Sequence, residues 1–117
     1  MNSAKAIEAL SALAQEHRLA IFRLLVRQGV EGLPAGDIGT RIGIGPTSAS
    51  FHLKELERAG LIKARREGRF IRYAFSTDAM RDLLGFLTKD CCQGRPELCG
   101  DLIRGEMSGC YEEASNE

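Results

Sequence analysis

An amphipathic helix opening on Pro46 and stopping at Gly60 is preceded by a short helix and a glycine turn, and followed by a charged two-stranded hairpin. Together these predict a mainly α (α+β) fold: a winged helix-turn-helix with a β-hairpin wing. Pro46 suits a first helical position, where its fixed φ fits and its missing N–H costs nothing. Ala49, Leu53 and Leu56 recur at i, i+4 and i+7 and mark the inner face. At about 100° per residue, the opposite face carries Thr47, Phe51, Lys54 and Arg58, with Ser48 and Glu55 alongside. Small hydroxyls, one aromatic ring and cations suit a helix that lies in a DNA major groove. Ser50 falls nearer the flank. His52 lies about 65° from the centre of the inner face, where it would pack or touch a phosphate. An ordinary amphipathic helix shows the same inner stripe, so the flanking elements decide between the two readings.

Residues 3–15 read as a helix, with Ser3 as its cap and Ile7, Leu10 and Ala14 along a stripe that Leu13 widens. Residues 17–28 make a second helix with Ile21, Leu24 and Leu25 inward, Arg18, Arg23 and Arg27 off that face, and Gly29 at its end. His17, with no second histidine nearby in sequence, reads as a structural or surface residue. Residues 29–34 form a breaker-rich loop, and 35–42 a short helix with Ile38 and Ile42 at i, i+4. Gly43-Ile44-Gly45 is the turn of the helix-turn-helix. After Gly60 the period changes: 61–66 is a strand, Glu67-Gly68 a tight turn and 69–75 the returning strand. Lys63, Arg65, Arg66, Arg69 and Arg72 charge this hairpin, as suits a wing that touches phosphates or the minor groove. Ser76-Thr77-Asp78 caps a last helix, whose Met80, Leu83, Leu84 and Leu87 recur at i, i+3, i+4, i+7. A small domain has little room to bury this extra stripe alone. With the first helix it forms the expected homodimer surface, and a twofold dimer would match an imperfect palindrome in double-stranded operator DNA.

The 117 residues suffice for one folded domain, placed at 1–90 as the DNA-binding and dimerisation part, with a cysteine-bearing sensor tail at 91–117. Net charge is zero, yet its distribution is uneven: residues 1–75 hold 12 Lys+Arg against 7 Asp+Glu, and residues 76–117 hold 4 against 9. A basic body with an acidic tail is compatible with DNA binding by the body. No apolar run is long enough for a membrane span, and the N-terminus lacks a signal-peptide layout, so a cytoplasmic location is expected. No nucleophile–base pair is visible, so an enzyme is not expected.

The four cysteines, at 91, 92, 99 and 110, all fall in the tail. Such clustering favours metal or redox chemistry over a disulfide framework. Adjacent Cys91 and Cys92 bridge each other only with strain, but both can hold one thiophilic centre, with Cys99 returning after Gly94–Pro96 as a third donor. Lys89 and Arg95 would stabilise thiolates. A tetrahedral zinc site would need a fourth ligand such as Cys110. A thiol redox switch and unrelated free cysteines are the other readings.

Leu13 to Leu25 with His17-Arg18 at its centre, Thr47-Ser48-Ala49-Ser50-Phe51-His52-Leu53-Lys54-Glu55-Leu56, Ala59-Gly60-Leu61-Ile62, Arg65-Arg66-Glu67-Gly68-Arg69 and Tyr73 together resemble the ArsR/SmtB family of metalloregulatory repressors. The match covers about residues 4–89. The resemblance implies a homodimer that represses a resistance operon and leaves DNA on binding its inducer. It also implies where the sensor would lie. The arsenic site on the first helix of the helix-turn-helix needs cysteines, and residues 33–38 have none. The zinc-type site on the last helix needs histidine, and residues 77–89 have none. The C-terminal Cys-Cys…Cys pattern is similar to the trigonal arsenite sites of repressors whose cysteines follow the last helix. This carries Cys91, Cys92 and Cys99 over as As(III) ligands, with Sb(III), Cd(II), Pb(II), an organoarsenical or a redox signal as alternatives. The DNA-contacting set implied is Thr47, Ser48, Ser50, Phe51, His52, Lys54, Arg65, Arg66 and Arg69.

Overall fold

In this computed structural model, residues 1–89 are described. By its contacts the chain divides into two units, Met1–Phe86 and Leu87–Glu117. The account below concerns the first.

The described residues run α1 (Ser3–Leu13), α2 (Glu16–Gln28), a 3-10 turn (Gly29–Glu31), β1 (Leu33–Pro34), α3 (Ala35–Ile42), α4 (Pro46–Arg58), β2 (Ile62–Glu67), β3 (Phe70–Phe75) and α5 (Thr77–Thr88). This is the expected winged helix-turn-helix, with one addition. The breaker-rich loop contains β1, which pairs antiparallel with β3 through Leu33↔Tyr73 and Pro34↔Arg72. The wing is thus a three-stranded sheet in the order β1-β3-β2. Gly32 makes this closure possible: its φ is +68°, and a Cβ there would lie 2.0 Å from the Tyr73 carbonyl oxygen. Only glycine takes that backbone at so close an approach.

The core joins Ile21, Leu24 and Leu25 of α2 to Ile38 of α3, Leu53 and Leu56 of α4, Leu61 just before β2, and Ile62 and Tyr73 of the sheet. The inner stripes of α2 and α4 therefore lie where periodicity puts them. The first helix differs. Its buried residues are Ala6 and Ala9, while Ile7 is 62% and Leu10 41% exposed. The small residues let α1 approach the body, and its large apolar side chains face outward. On α5, the stripe expected at a dimer surface is divided: Leu83 is buried in the chain's own core, with Met80 and Phe86 packed against it, and Leu84 is exposed. One helix cap falls one residue before its expected place, and another is unanticipated. Asn2, not Ser3, accepts from the Lys5 N–H at 2.9 Å, and Gln15 caps α2 by accepting from the Arg18 N–H at 2.9 Å. Ser76 caps α5 as expected, its hydroxyl accepting from the Ala79 N–H at 3.1 Å.

The helix-turn-helix is held tight by two small residues. Gly39 of α3 is buried against α4, where an added Cβ would come within 3.3 Å of the Ala49 Cβ. Gly43 ends α3 in a left-handed conformation, and the Gly43 and Ile44 N–H groups both donate to the Gly39 carbonyl. The chain thereby turns directly into α4. Among the described residues, no helix is long and apolar enough to cross a membrane.

Candidate nucleic-acid interface

Burying Ala49, Leu53 and Leu56 turns the other side of α4 to solvent. Thr47, Ser48, Ser50, Phe51 and Lys54 are all exposed there, Phe51 to 57%. Pro46 opens the helix, and no side chain caps its N-terminus, so the first backbone N–H groups point outward beside Thr47 and Ser48. That end of the helix favours an anion such as a phosphate.

His52 is half-buried at the helix flank. Its Nδ1 accepts from the Arg18 guanidinium at 3.2 Å, and its ring lies 5.6 Å from that of His17, centre to centre. Accepting at Nδ1 places the proton of the neutral ring on Nε2. Burial, then the positive charge of Arg18, then His17, hold the imidazole below its ordinary pKa, with Glu55 pulling the other way. Arg18 is itself fixed, its Nε donating to the Ala12 carbonyl at the end of α1 at 2.7 Å. The two histidines, 35 residues apart in sequence, are brought together in the fold. Sequence spacing gave no sign of the Arg18–His52 link, which spans 34 residues.

The wing sits beside α4. Ser50 and Lys54 share a cleft of about 270 Å³ with Arg69, Phe70 and Ile71. Reading head and wing thus front one groove. Phe70 at the wing tip is 67% exposed, and neither it nor Ile71 was among the expected contacts. Arg65, Arg66 and Arg69 are exposed on the wing. Arg65 is not free, because Glu67 accepts from its Nη2 at 2.9 Å and from its Nε at 3.2 Å. Glu67 also accepts from Arg72 Nε at 3.0 Å, and these two guanidinium partners hold its carboxyl below the usual range. Arg72 Nη1 in addition donates to the Glu31 and Gly32 carbonyls, at 3.3 and 3.2 Å, so that this cation braces β1 against β3.

Among the described residues, no three His, Cys, Asp or Glu side chains are placed to hold one metal ion. Cys91, Cys92, Cys99 and Cys110 lie outside the described residues.

A family model for a helix-turn-helix domain matches residues 13–65. The transcriptional activator HlyU of Vibrio cholerae is 33% identical over 92 residues, spanning 79% of this chain and 82% of that one. The solved structure of HlyU from Vibrio cholerae N16961 superposes with a TM-score of 0.59 at 37% identity, covering 74% of this chain and 94% of its own. The solution structure of Mb0332 from Mycobacterium bovis is similar too. It is a homodimeric winged helix-turn-helix DNA-binding domain described as a possible ArsR-family regulator, with a TM-score of 0.61, 30% identity, and coverage of 79% and 85%.

Proposed function

Because this chain belongs to the ArsR family of winged helix-turn-helix transcriptional regulators, we propose that it is a homodimeric repressor of an arsenic-resistance operon, released from its operator when As(III) binds Cys91, Cys92 and Cys99. One observation supports the DNA-binding part above others: Ser50 and Lys54 of α4 and the wing residues Arg69 and Phe70 line one groove. The outward Ile7 and Leu10 on α1 support the dimer, since large apolar side chains left to solvent on a small domain suit a second copy. A twofold pair would offer two α4 helices to successive major grooves, with the wings on flanking phosphates.

The donor set supports a thiophilic inducer. Three thiolates, without a histidine among residues 53–117, suit As(III) better than a hard ion. The thiols give up protons on binding it, so affinity should depend on pH. Cys91 follows the end of α5 by three residues, so a clasp from Cys91 and Cys92 to Cys99 would pull on that helix end and alter the spacing of the two reading heads. A coupling of the usual size weakens operator binding about 5–150-fold.

The test is fluorescence anisotropy of the reduced full chain on its operator duplex, titrated in parallel with As(III), Sb(III) and Cd(II). Release is expected with As(III), and Cys91→Ser, Cys92→Ser and Cys99→Ser should each abolish it. If all three variants still respond, the sensor assignment fails. Release by peroxide but not by As(III) would make the chain a redox-switched regulator instead.

A further inference from the structure

A single exposed phenylalanine on a protein surface is ordinary. Phe51 differs in its place and in what holds it. At about 100° per residue, it lies about 15° from the centre of the outer face of α4, in the N-terminal half that meets base edges in helix-turn-helix complexes. Its neighbours on that face of α4 are Thr47, Ser48, Lys54 and Glu55, all of them polar, so it continues no apolar stripe of the helix. The ring is also supported. It meets the His52 ring edge-on, with centroids 5.4 Å apart and planes at 63°. His52 is in turn held by Arg18, and Arg18 by the Ala12 carbonyl. An aromatic ring backed in this way loses little freedom when it meets a partner.

We propose that Phe51 is a specificity residue that reads the 5-methyl group of thymine in the major groove of the operator. This rests on the proposed DNA binding and goes a step beyond it. A phenyl ring has no donor or acceptor with which to read the hydrogen-bonding code of the bases. The apolar group that the four natural base pairs display in the major groove is the thymine methyl. Against that methyl, the ring buries apolar surface on both sides. Against the edge of guanine or the amino group of adenine or cytosine, it strips water from polar atoms and returns no bond. Thr47 and Ser48, one turn earlier on the same face, and Lys54, one turn later, supply the polar and phosphate contacts around it.

The test uses the full-length chain. Preferred duplexes are selected from a random pool, and each thymine is then replaced singly by deoxyuridine, which removes only the methyl group. At one thymine in each half-site, the replacement should weaken wild-type binding about fourfold, the effect of burying one carbon group. Phe51→Ala should bind more weakly and no longer distinguish the thymine duplex from the uracil duplex, while melting as the wild type does. Phe51→Leu should keep part of the preference. A flat uracil scan in the wild type, or unchanged discrimination in Phe51→Ala, overturns the proposal. So does a gain in affinity when 5-methylcytosine replaces a cytosine, with no loss at any thymine, which would assign the ring to a methylated cytosine. If the chain selects no duplex at all, the DNA-binding reading falls and this assignment with it. If it binds duplexes with a flat scan, only the role of Phe51 falls.

Discussion

The two faces of the wing carry similar charge in the sequence, but their arginines stand in opposite circumstances in the fold. Strand alternation puts Lys63, Arg65 and Glu67 on one face, opposite Ala74, Arg72 and Phe70. Ala64 and Arg66 lie on the other, opposite Tyr73 and Ile71. On the first face, one carboxylate engages two arginines: Glu67 holds Arg65 and Arg72, and Arg72 is further tied to the backbone just before β1. On the second face, Tyr73 and Ile71 line the cleft that leads to α4, and Arg66 extends that side of the sheet. Arg66 and Arg69 make no ion pair among the described residues, and both are exposed. A count of wing cations therefore overstates the charge ready for phosphates. What matters is which side of the ribbon a cation is on, and whether a carboxylate has reached it first.

The comparison can be broken in several places. The largest effect is expected at Gly32, which brings the Glu31 and Gly32 carbonyls to Arg72. Gly32→Ala should force β1 from β3 and cost at least ~2 kcal/mol in urea unfolding, from steric overlap and an unfavourable φ together. Near-normal stability would mean that the bracing of Arg72 is incidental. Next come the cations. Arg66→Ala and Arg69→Ala should each weaken operator binding and reduce the slope of log affinity against log salt by roughly one unit per protomer. Arg65→Ala should change that slope by less than half as much, and equal slopes for Arg65 and Arg66 would erase the distinction between the faces. Glu67→Gln should then tighten DNA binding by about 2–3-fold, because it removes a negative charge and unties Arg65.

The smallest effect concerns His52, on the other half of the interface. Its folded-state pKa lies below the ordinary 6.5, so the unfolded chain takes up its proton more readily. The stability this gives is full above about 6.5 and declines as the pH falls below it. In thermal melts from neutral pH downward, His52→Gln should flatten the acid-side decline. An unchanged decline would point to other groups.

Much of this architecture could be read from local pattern. The inner stripes of α2 and α4, the glycine turn and the hairpin are all set by residues within one or two turns of each other, and the fold keeps them. The rest depends on contacts between distant parts of the chain. Leu33-Pro34 gives no strand signal, because two residues have no period; their pairing is decided by Tyr73 and Arg72, some forty residues later. On α1 the inward face is what the pattern conceals, because Ala6 and Ala9 carry little hydrophobic weight, although small size is what packs them. The support for Phe51 runs through Arg18 and His52, which no spacing rule connects. The different positions of Arg65 and Arg66 were available in principle. Alternation about an inward Tyr73 separates neighbouring residues on β2, provided the register is known.

The sheet order has a further consequence for the life of the protein in a crowded solution. With β3 in the middle, the sheet has two edges, the two-residue β1 and the longer β2, whose far side has no strand beside it among the described residues. The outward-pointing peptide groups of such a six-residue edge are a template on which two chains can zip together. Here the rim carries Lys63, Arg65 and Arg66, whose repulsion opposes that pairing. Stripping the wing of its cations to weaken operator binding would thus also remove a guard against aggregation, and such variants are best compared at low protein concentration.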